Sequence, residues 1–211
     1  MCRGYKRDMG IIDQFISSKS LSDCFSDALP MQIPGKLRAL IVPHAGYIYS
    51  GSVAASGYRL MKAGDYDRVI IVGFYHGGAE EHSVKIQIPF IHYILGKNII
   101  IEEKYVEQII NLYPDDRTLV VASSDLSHYY PLPKANQLDR QSINAILSLD
   151  ESNIRRQTEA CGLWPILTVN KLANRYHWQA QLIDYRTSAE ASGDPTSVVG
   201  YASIAYYEPK K

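Results

Sequence analysis

Four side chains able to do chemistry, His44, His76, Asp125 and His128, each follow an apolar run within a few positions, and Cys161 stands just ahead of an amphipathic stretch. Imidazole nitrogen, carboxylate and thiolate are ligands for Fe, Zn or Cu, and two histidines with one anionic ligand leave positions open for substrate or water. The same groups also move protons: Asp125-x-x-His128, the one tight pair, reads equally as a general acid/base couple. The spacing is otherwise long-range, with no close pair of the His-Glu-x-x-His kind, so spacing alone does not select a role.

The elements that must position these residues are clearer. Leu37 to Val42 is aliphatic and β-branched, Pro43 cannot extend a ladder, and Gly46 and Gly51 let the backbone turn tightly and approach a ligand. His44 therefore sits where a buried strand gives out, with Tyr47 and Tyr49 after it. Ser52 to Lys62 reads as an amphipathic helix that Gly64 could end. Arg68 to Gly73 is a continuous apolar run, typical of a strand covered on both faces, and ends at Phe74-Tyr75-His76-Gly77-Gly78. Thr118 to Ser123 is a third such run and hands over to Ser124-Asp125-Leu126-Ser127-His128-Tyr129. Strand, helix and strand in this order predict an α/β chain with parallel βαβ pairing. Ligands in such sheets collect outside the carboxyl ends of the strands, which gathers His44, His76, Asp125 and His128 onto one rim, with Cys161 as a fifth member.

The remaining segments are read more coarsely. Residues 1 to 36 are taken as a peripheral segment, one helix around Ile11, Ile12, Phe15 and Ile16 followed by a loop through Pro30 and Pro34. Residues 82 to 95 fit a strand or a helix equally. Lys97 to Ile101 is expected to be a short strand and Glu102 to Leu112 a helix with acidic residues in its first turn. Lys134 to Leu149, Ile154 to Thr158 and Leu163 to Tyr176 read as helices, the last with Pro165 well placed near its start. Ala180 to Tyr185 and Val198 to Tyr206 read as strands, separated by a polar loop.

At 211 residues, 46% hydrophobic and 21% charged, with a mean hydropathy of -0.17, the chain is expected to form one ordinary globular domain spanning 1 to 211. Lys plus Arg and Asp plus Glu balance at 22 each, which gives no field to favour nucleic acid or an anionic membrane. No apolar run is long enough to span a bilayer, and Met1 to Lys6 lacks a signal-peptide core, so the expected location is the cytoplasm. Cys2, Cys24 and Cys161 are too few and too scattered for a disulfide framework.

Each candidate has a plainer reading. A single histidine after a strand is more often a hydrogen-bonded turn residue than a ligand; repetition at three strand ends is what favours a shared site. Asp125, Ser123 and Ser124 could cap the following turn, and Cys161 could be a small buried hydrophobe. His82 has no comparable setting, and His92 and His177 are read as structural. No Gly-x-Ser-x-Gly elbow supports a serine nucleophile, and the glycines form no dinucleotide or phosphate loop.

Pro43-His44-Ala45-Gly46-Tyr47 with Tyr49-Ser50-Gly51, Ser123-Ser124-Asp125-Leu126-Ser127-His128-Tyr129, Cys161-Gly162 with Pro165-Ile166, and Asp184-Tyr185 through Ser192-Gly193-Asp194 to Ser197-Val198-Val199-Gly200-Tyr201-Ala202 together resemble the Memo family. In prokaryotes this is protein B of the AmmeMemoRadiSam system, similar to the LigB-like extradiol dioxygenases that use non-haem Fe(II). The resemblance implies a single-domain three-layer α/β sandwich with a mostly parallel or mixed central sheet. It implies a metal held by His44, His76 and Cys161, Fe(II) first, with Zn or Cu as alternatives. Asp125 and His128 would line the same pocket, His128 as acid/base and Asp125 orienting it, with Gly46, Tyr47, Ser124 and Tyr129 as walls. The implied activity is that of a redox enzyme or oxygenase on a small substrate. A peptide-binding adaptor without turnover and a metal-redox handling protein are the alternatives, and a functional link to a radical SAM protein is a further implication. Cysteine in place of the dioxygenase carboxylate argues against ring cleavage.

The chain also departs from the family pattern. Phe74-Tyr75-His76 replaces the usual Gly-Pro-x-His, and Glu81-His82-Ser83 is followed by Lys85 where a glutamate is usual. His76 and Glu81 lie five positions apart where the family places a long segment, and Gly96 to Glu103 looks abbreviated. The rim near His76 is therefore expected to lack a covering loop.

Overall fold

A computed structural model describes residues 11–77 and 81–210. Cys2, the Met1 to Lys6 start and Gly78 lie outside the described residues. Helices α1 (Ile11–Ser17) and α2 (Leu21–Ser26) precede β1 (Gly35–Val42), and a π-helical turn, Tyr47–Gly51, leads into α3 (Ser52–Tyr58). There follow β2 (Arg68–Gly73), a 3-10 turn Lys85–Gln87, α4 (Ile88–Leu95), β3 (Ile100–Tyr105), β4 (Thr118–Ser123) and β5 (His128–Tyr130). The remaining elements are α5 (Leu132–Leu147), α6 (Glu151–Gln157), α7 (Leu163–Tyr176), β6 (Gln179–Thr187), α8 (Ala189–Ser192) and β7 (Val198–Pro209).

The strands form one mixed seven-stranded sheet in the order β3-β2-β4-β1-β7-β5, with β6 also on β7. β3, β2, β4 and β1 are mutually parallel, whereas β7 runs antiparallel to β1, β5 and β6. The central parallel strands carry continuous apolar runs, Leu40 to Val42, Val69 to Val72 and Leu119 to Ala122, because alternate residues feed opposite layers. Leu40, Val42, Val69, Ile71, Leu119 and Val121 pack against α3 and α4 through Ala54, Tyr58 and Phe90. Ala39, Ile41, Ile70, Val72, Val120 and Ala122 meet Ile143, Ile146, Ile154 and Leu167 of α5, α6 and α7. The result is a three-layer α/β sandwich whose three central parallel strands all deliver their carboxyl ends to one rim. Among the described residues no helix is long and apolar enough to cross a membrane.

Several segments differ from the sequence reading. Glu102 to Leu112 is not helical: residues 100–105 pair with β2 from Arg68↔Ile100 to Gly73↔Tyr105, and the chain then runs irregularly to β4. The acidic residues that suggested a helix start instead decorate an edge strand, where Glu102 bonds Arg68 at 3.2 Å and lies 3.4 Å from Lys104. The 82 to 95 ambiguity resolves as helix, with Pro89 in its first turn. Leu21–Ser26, read as loop, is a helix capped by Ser20, whose hydroxyl accepts the Asp23 N–H at 3.1 Å. The short strand β5 had no counterpart in the reading of the chain.

Candidate metal centre

His44 leaves β1 after Pro43 and is 3% exposed. Its backbone N–H donates to Asp125 Oδ1 at 2.8 Å, which ties the end of β1 to the end of β4. Its Nδ1 lies 3.1 Å from Ser123 Oγ, and its Nε2 faces Cys161 Sγ at 3.4 Å and Asp125 Oδ2 at 4.0 Å. Cys161 reaches the rim because α7 starts directly beneath it. A side chain on Gly162 would lie 2.5 Å from Ser124 Cβ and 2.6 Å from Ser123 O, so only glycine lets the helix start come this close. Gly162 N–H donates to Ser124 Oγ at 2.9 Å, and Asp125 N–H donates to Cys161 Sγ at 3.3 Å.

His76, three residues past β2, is held by a carboxylate. Glu81 Oε2 accepts its backbone N–H at 2.7 Å, and both carboxylate oxygens stand 3.3 Å from its Nδ1. Burial raises the Glu81 pKa, but the N–H groups of His76 and Ser83 and the two side chains outweigh it, leaving a value of about 2. The Cys161 side chain, and with it Glu81, raises the His76 pKa against the opposing effects of burial and His44.

His44, His76 and Cys161 each offer one donor atom, and these lie within 4.8 Å of one another. Two ligands bound to one ion at the usual N and S distances are roughly 3.1 to 3.5 Å apart, and the 3.4 Å His44 to Cys161 separation matches this. Both imidazoles engage a partner through Nδ1 and so keep Nε2 for the centre, the usual arrangement of metal-ligating histidines. The residues present therefore fit a transition metal in donor type and spacing.

A cavity of about 440 Å³ opens over the two histidines of this cluster, Cys161 not being among its lining residues. It is bounded by His44, Gly46, His76, Asp125, His128 and Tyr129 together with Phe15, Ile48, Tyr49, His82 and Tyr201. Tyr47 and Ser124 lie elsewhere: the Tyr47 ring is 1% exposed in the core beside Phe90, its hydroxyl donating to Ile86 O at 2.7 Å, and Ser124 sits below Cys161. The Asp125 carboxylate bonds the His44 backbone rather than His128. His128 occupies β5, opposite Val199 of β7. The loop between them is anchored from below, where Ser127 N–H donates to Asp139 Oδ1 at 2.9 Å and Tyr185 OH donates to Oδ2 at 2.8 Å. Burial raises the Asp139 pKa despite these bonds. Asp139 fits only because Gly200 has no side chain, a Cβ there falling 1.9 Å from Asp139 Oδ2. Tyr129, 76% exposed, holds a left-handed φ of 63°, a strained backbone for a bulky residue at a site mouth.

Two contributors escaped the sequence reading. His82 stacks on His76 with centroids 5.4 Å apart and stands edge-on to His44 at 5.5 Å. Burial and then the neighbouring His44 lower its pKa. Phe15, from the segment taken as peripheral, closes on His82 at 5.0 Å. The Glu81-His82-Ser83 triplet was the available signal for His82, since two of its members already serve the His76 seat.

A mixed α/β sandwich with a His, His, Cys cluster at the carboxyl ends of its parallel strands defines a metalloprotein-like rim of the kind expected from the resemblance. The comparisons agree. A family described as "Memo-like protein" matches residues 13–81 and 76–205. A MEMO1 family protein of Sulfurisphaera tokodaii is 31% identical over 231 residues, covering 79% of this chain and 81% of its own length. One of Sulfolobus acidocaldarius is 32% identical over 233 residues, covering 80% and 82%. One of Methanosarcina barkeri is 32% identical over 247 residues, covering 88% and 92%. The chain belongs to the Memo family. The family match divides at residues 76–81, and these alignments are longer than the 211-residue chain. Both facts accord with a shortened connection between His76 and Glu81.

Proposed function

We propose that this Memo-family protein is a non-haem metalloprotein in which His44, His76 and Cys161 hold one metal ion, with Fe(II) the first choice and Zn or Cu the alternatives. The observation that carries the reading is the convergence of three donor atoms within 4.8 Å, with both histidines engaged through Nδ1. Bound there, such a metal supplies a Lewis-acidic and, for iron or copper, redox-active centre for a small substrate. The protein's own groups divide the remaining work. Glu81 and Ser123 aim the imidazoles, Asp125 locks the His44 backbone, and His128 on the opposite wall is placed to exchange a proton with a molecule in the cavity. The described lining contains no lysine or arginine, so the cavity suits an uncharged organic molecule better than a phosphate or carboxylate.

The test is metal analysis of protein purified without chelators beside His44→Ala and Cys161→Ala. Stoichiometric metal in the wild type and its loss in both variants is expected; equal content in all three would refute the site.

A second reading has its own support. Ile48, Tyr49 and Tyr129 at the mouth are 48%, 44% and 76% exposed, a surface suited to holding a peptide without turnover. It predicts that stripping the metal leaves partner affinity unchanged while Tyr49→Ala and Tyr129→Ala weaken it. A cytoplasmic setting and a radical SAM partner belong to the same proposal; co-purification from a native host tests the latter.

A further inference from the structure

Behind His44 lies a chain of buried polar groups whose hydrogen-bond directions are all determined. Gln87 is 0% exposed, and its Nε2 donates to Pro43 O at 2.9 Å and to Ser123 Oγ at 2.8 Å. Pro43 O can only accept, so the amide cannot be reversed, and its Oε1 accepts from Tyr58 OH at 3.0 Å. Ser123, equally buried, has a single hydroxyl hydrogen and gives it to Ser83 O at 2.5 Å. One Ser123 lone pair is then filled by Gln87. The other faces His44 Nδ1 at 3.1 Å, and the serine has no hydrogen left to offer.

We propose that Ser123 and Gln87 are positioning residues that fix His44 as its Nδ1–H tautomer and so present a bare Nε2 lone pair to the His76 and Cys161 side of the site. The inference rests on the metal reading for its purpose but not for its geometry. An imidazole buried at this depth cannot turn to water for a substitute partner, so the tautomer is set by what Ser123 can accept. Serine rather than alanine at the end of β4 is thus a requirement of the His44 seat, not a cap of the following turn. Gln87, on the far side of the sheet rim, acts through Ser123 by keeping the hydroxyl hydrogen pointed at Ser83 O.

The experiment uses the metal-free full-length chain labelled with ¹⁵N in histidine, with the His44 signals assigned by their absence in His44→Gln. The wild type is expected to show His44 protonated at Nδ1 and unprotonated at Nε2. Ser123→Ala is expected to lose that single-tautomer signature and to weaken Co(II) binding about 10- to 100-fold, the usual cost of losing a partner of a metal-ligating histidine. Gln87→Met, which keeps the volume, is expected to shift both readouts in the same direction by less. Tyr58→Phe removes only the outermost link and is expected to lower the melting temperature while leaving the His44 signature intact, which separates positioning from packing. A wild-type His44 carrying its proton on Nε2 would overturn the proposal, as would Ser123→Ala with an unchanged signature and unchanged Co(II) affinity. Because the tautomer is read without metal, failure of the wild type to bind Co(II) would count against the metal reading alone.

Discussion

His44 and His76 aim at the same sulfur from seats of different construction. His44 follows a central strand and is buried; its backbone N–H is given to the Asp125 carboxylate, but its ring is held by uncharged groups, the Ser123 hydroxyl at Nδ1 and the Gln87 amide behind it. His76 stands past the end of β2, one strand removed from β1 across β4, with its side chain 30% exposed, and its partner is the Glu81 carboxylate on a short connection. Each construction suits its depth. A charge directly behind the His44 ring would need buried partners of its own, whereas the Glu81 carboxylate behind the more exposed His76 finds them in the His76 and Ser83 N–H groups. The partner at Nδ1 is accordingly charged behind the partly exposed ring and neutral behind the buried one.

The largest effect that separates the two seats should come from removing the rings. Both His44→Ala and His76→Ala should abolish stoichiometric metal binding, read by elemental analysis. Their stabilities should differ. His44→Ala leaves a cavity and unpaired buried groups and should cost about 3 kcal/mol in denaturant unfolding of the metal-free protein. His76→Ala should cost under about 1 kcal/mol. Equal losses would erase the distinction.

Next in size is the acid response. The folded-state pKa of Glu81, about 2, lies below its ordinary 4.5, so its contribution is fully present above the ordinary value and is lost as pH falls from 4.5 toward 2. Glu81→Gln should remove that part of the acid-unfolding profile and weaken Co(II) binding at neutral pH about 10- to 100-fold. Ser123→Ala, which leaves Glu81 in place, should keep that acid dependence; its loss in this variant as well would contradict the neutral character of the other seat. The smallest effect should come from the opposite wall: Tyr129→Asn, better suited to a left-handed φ, should raise stability by under about 1 kcal/mol without changing metal affinity, as read by melting temperature and Co(II) titration.

What the sequence made legible follows from which interactions are local. Continuous apolar runs ending in polar residues marked β1, β2 and β4 correctly, and parallel pairing then placed His44, His76, Asp125 and His128 on one rim by geometry alone. Cys161 joined that rim on its place ahead of a helix, and its role as a ligand came only from the resemblance, because a loop before a helix carries no periodic signal. Glu102 to Leu112 misled because charges on an edge strand imitate an acidic first turn. The tautomer-setting groups were invisible for a different reason. Gln87 and Ser123 are 36 positions apart, and nothing in their types distinguishes a relay from a cap until their distance is known. His82 was passed over because it follows no strand, yet its neighbours in sequence serve both seats.

Ser83 joins the two seats through its own peptide groups. Its N–H is given to Glu81 at 2.8 Å and its carbonyl receives Ser123 at 2.5 Å. Opening of the His76 clamp is thus expected to loosen the His44 relay with it, which hydrogen exchange would read as similar protection at the amides of His44, His76 and Ser83. On the proposed metal reading, Ser83 would therefore couple the aim of one histidine to that of the other, so that disturbing either seat is felt at both.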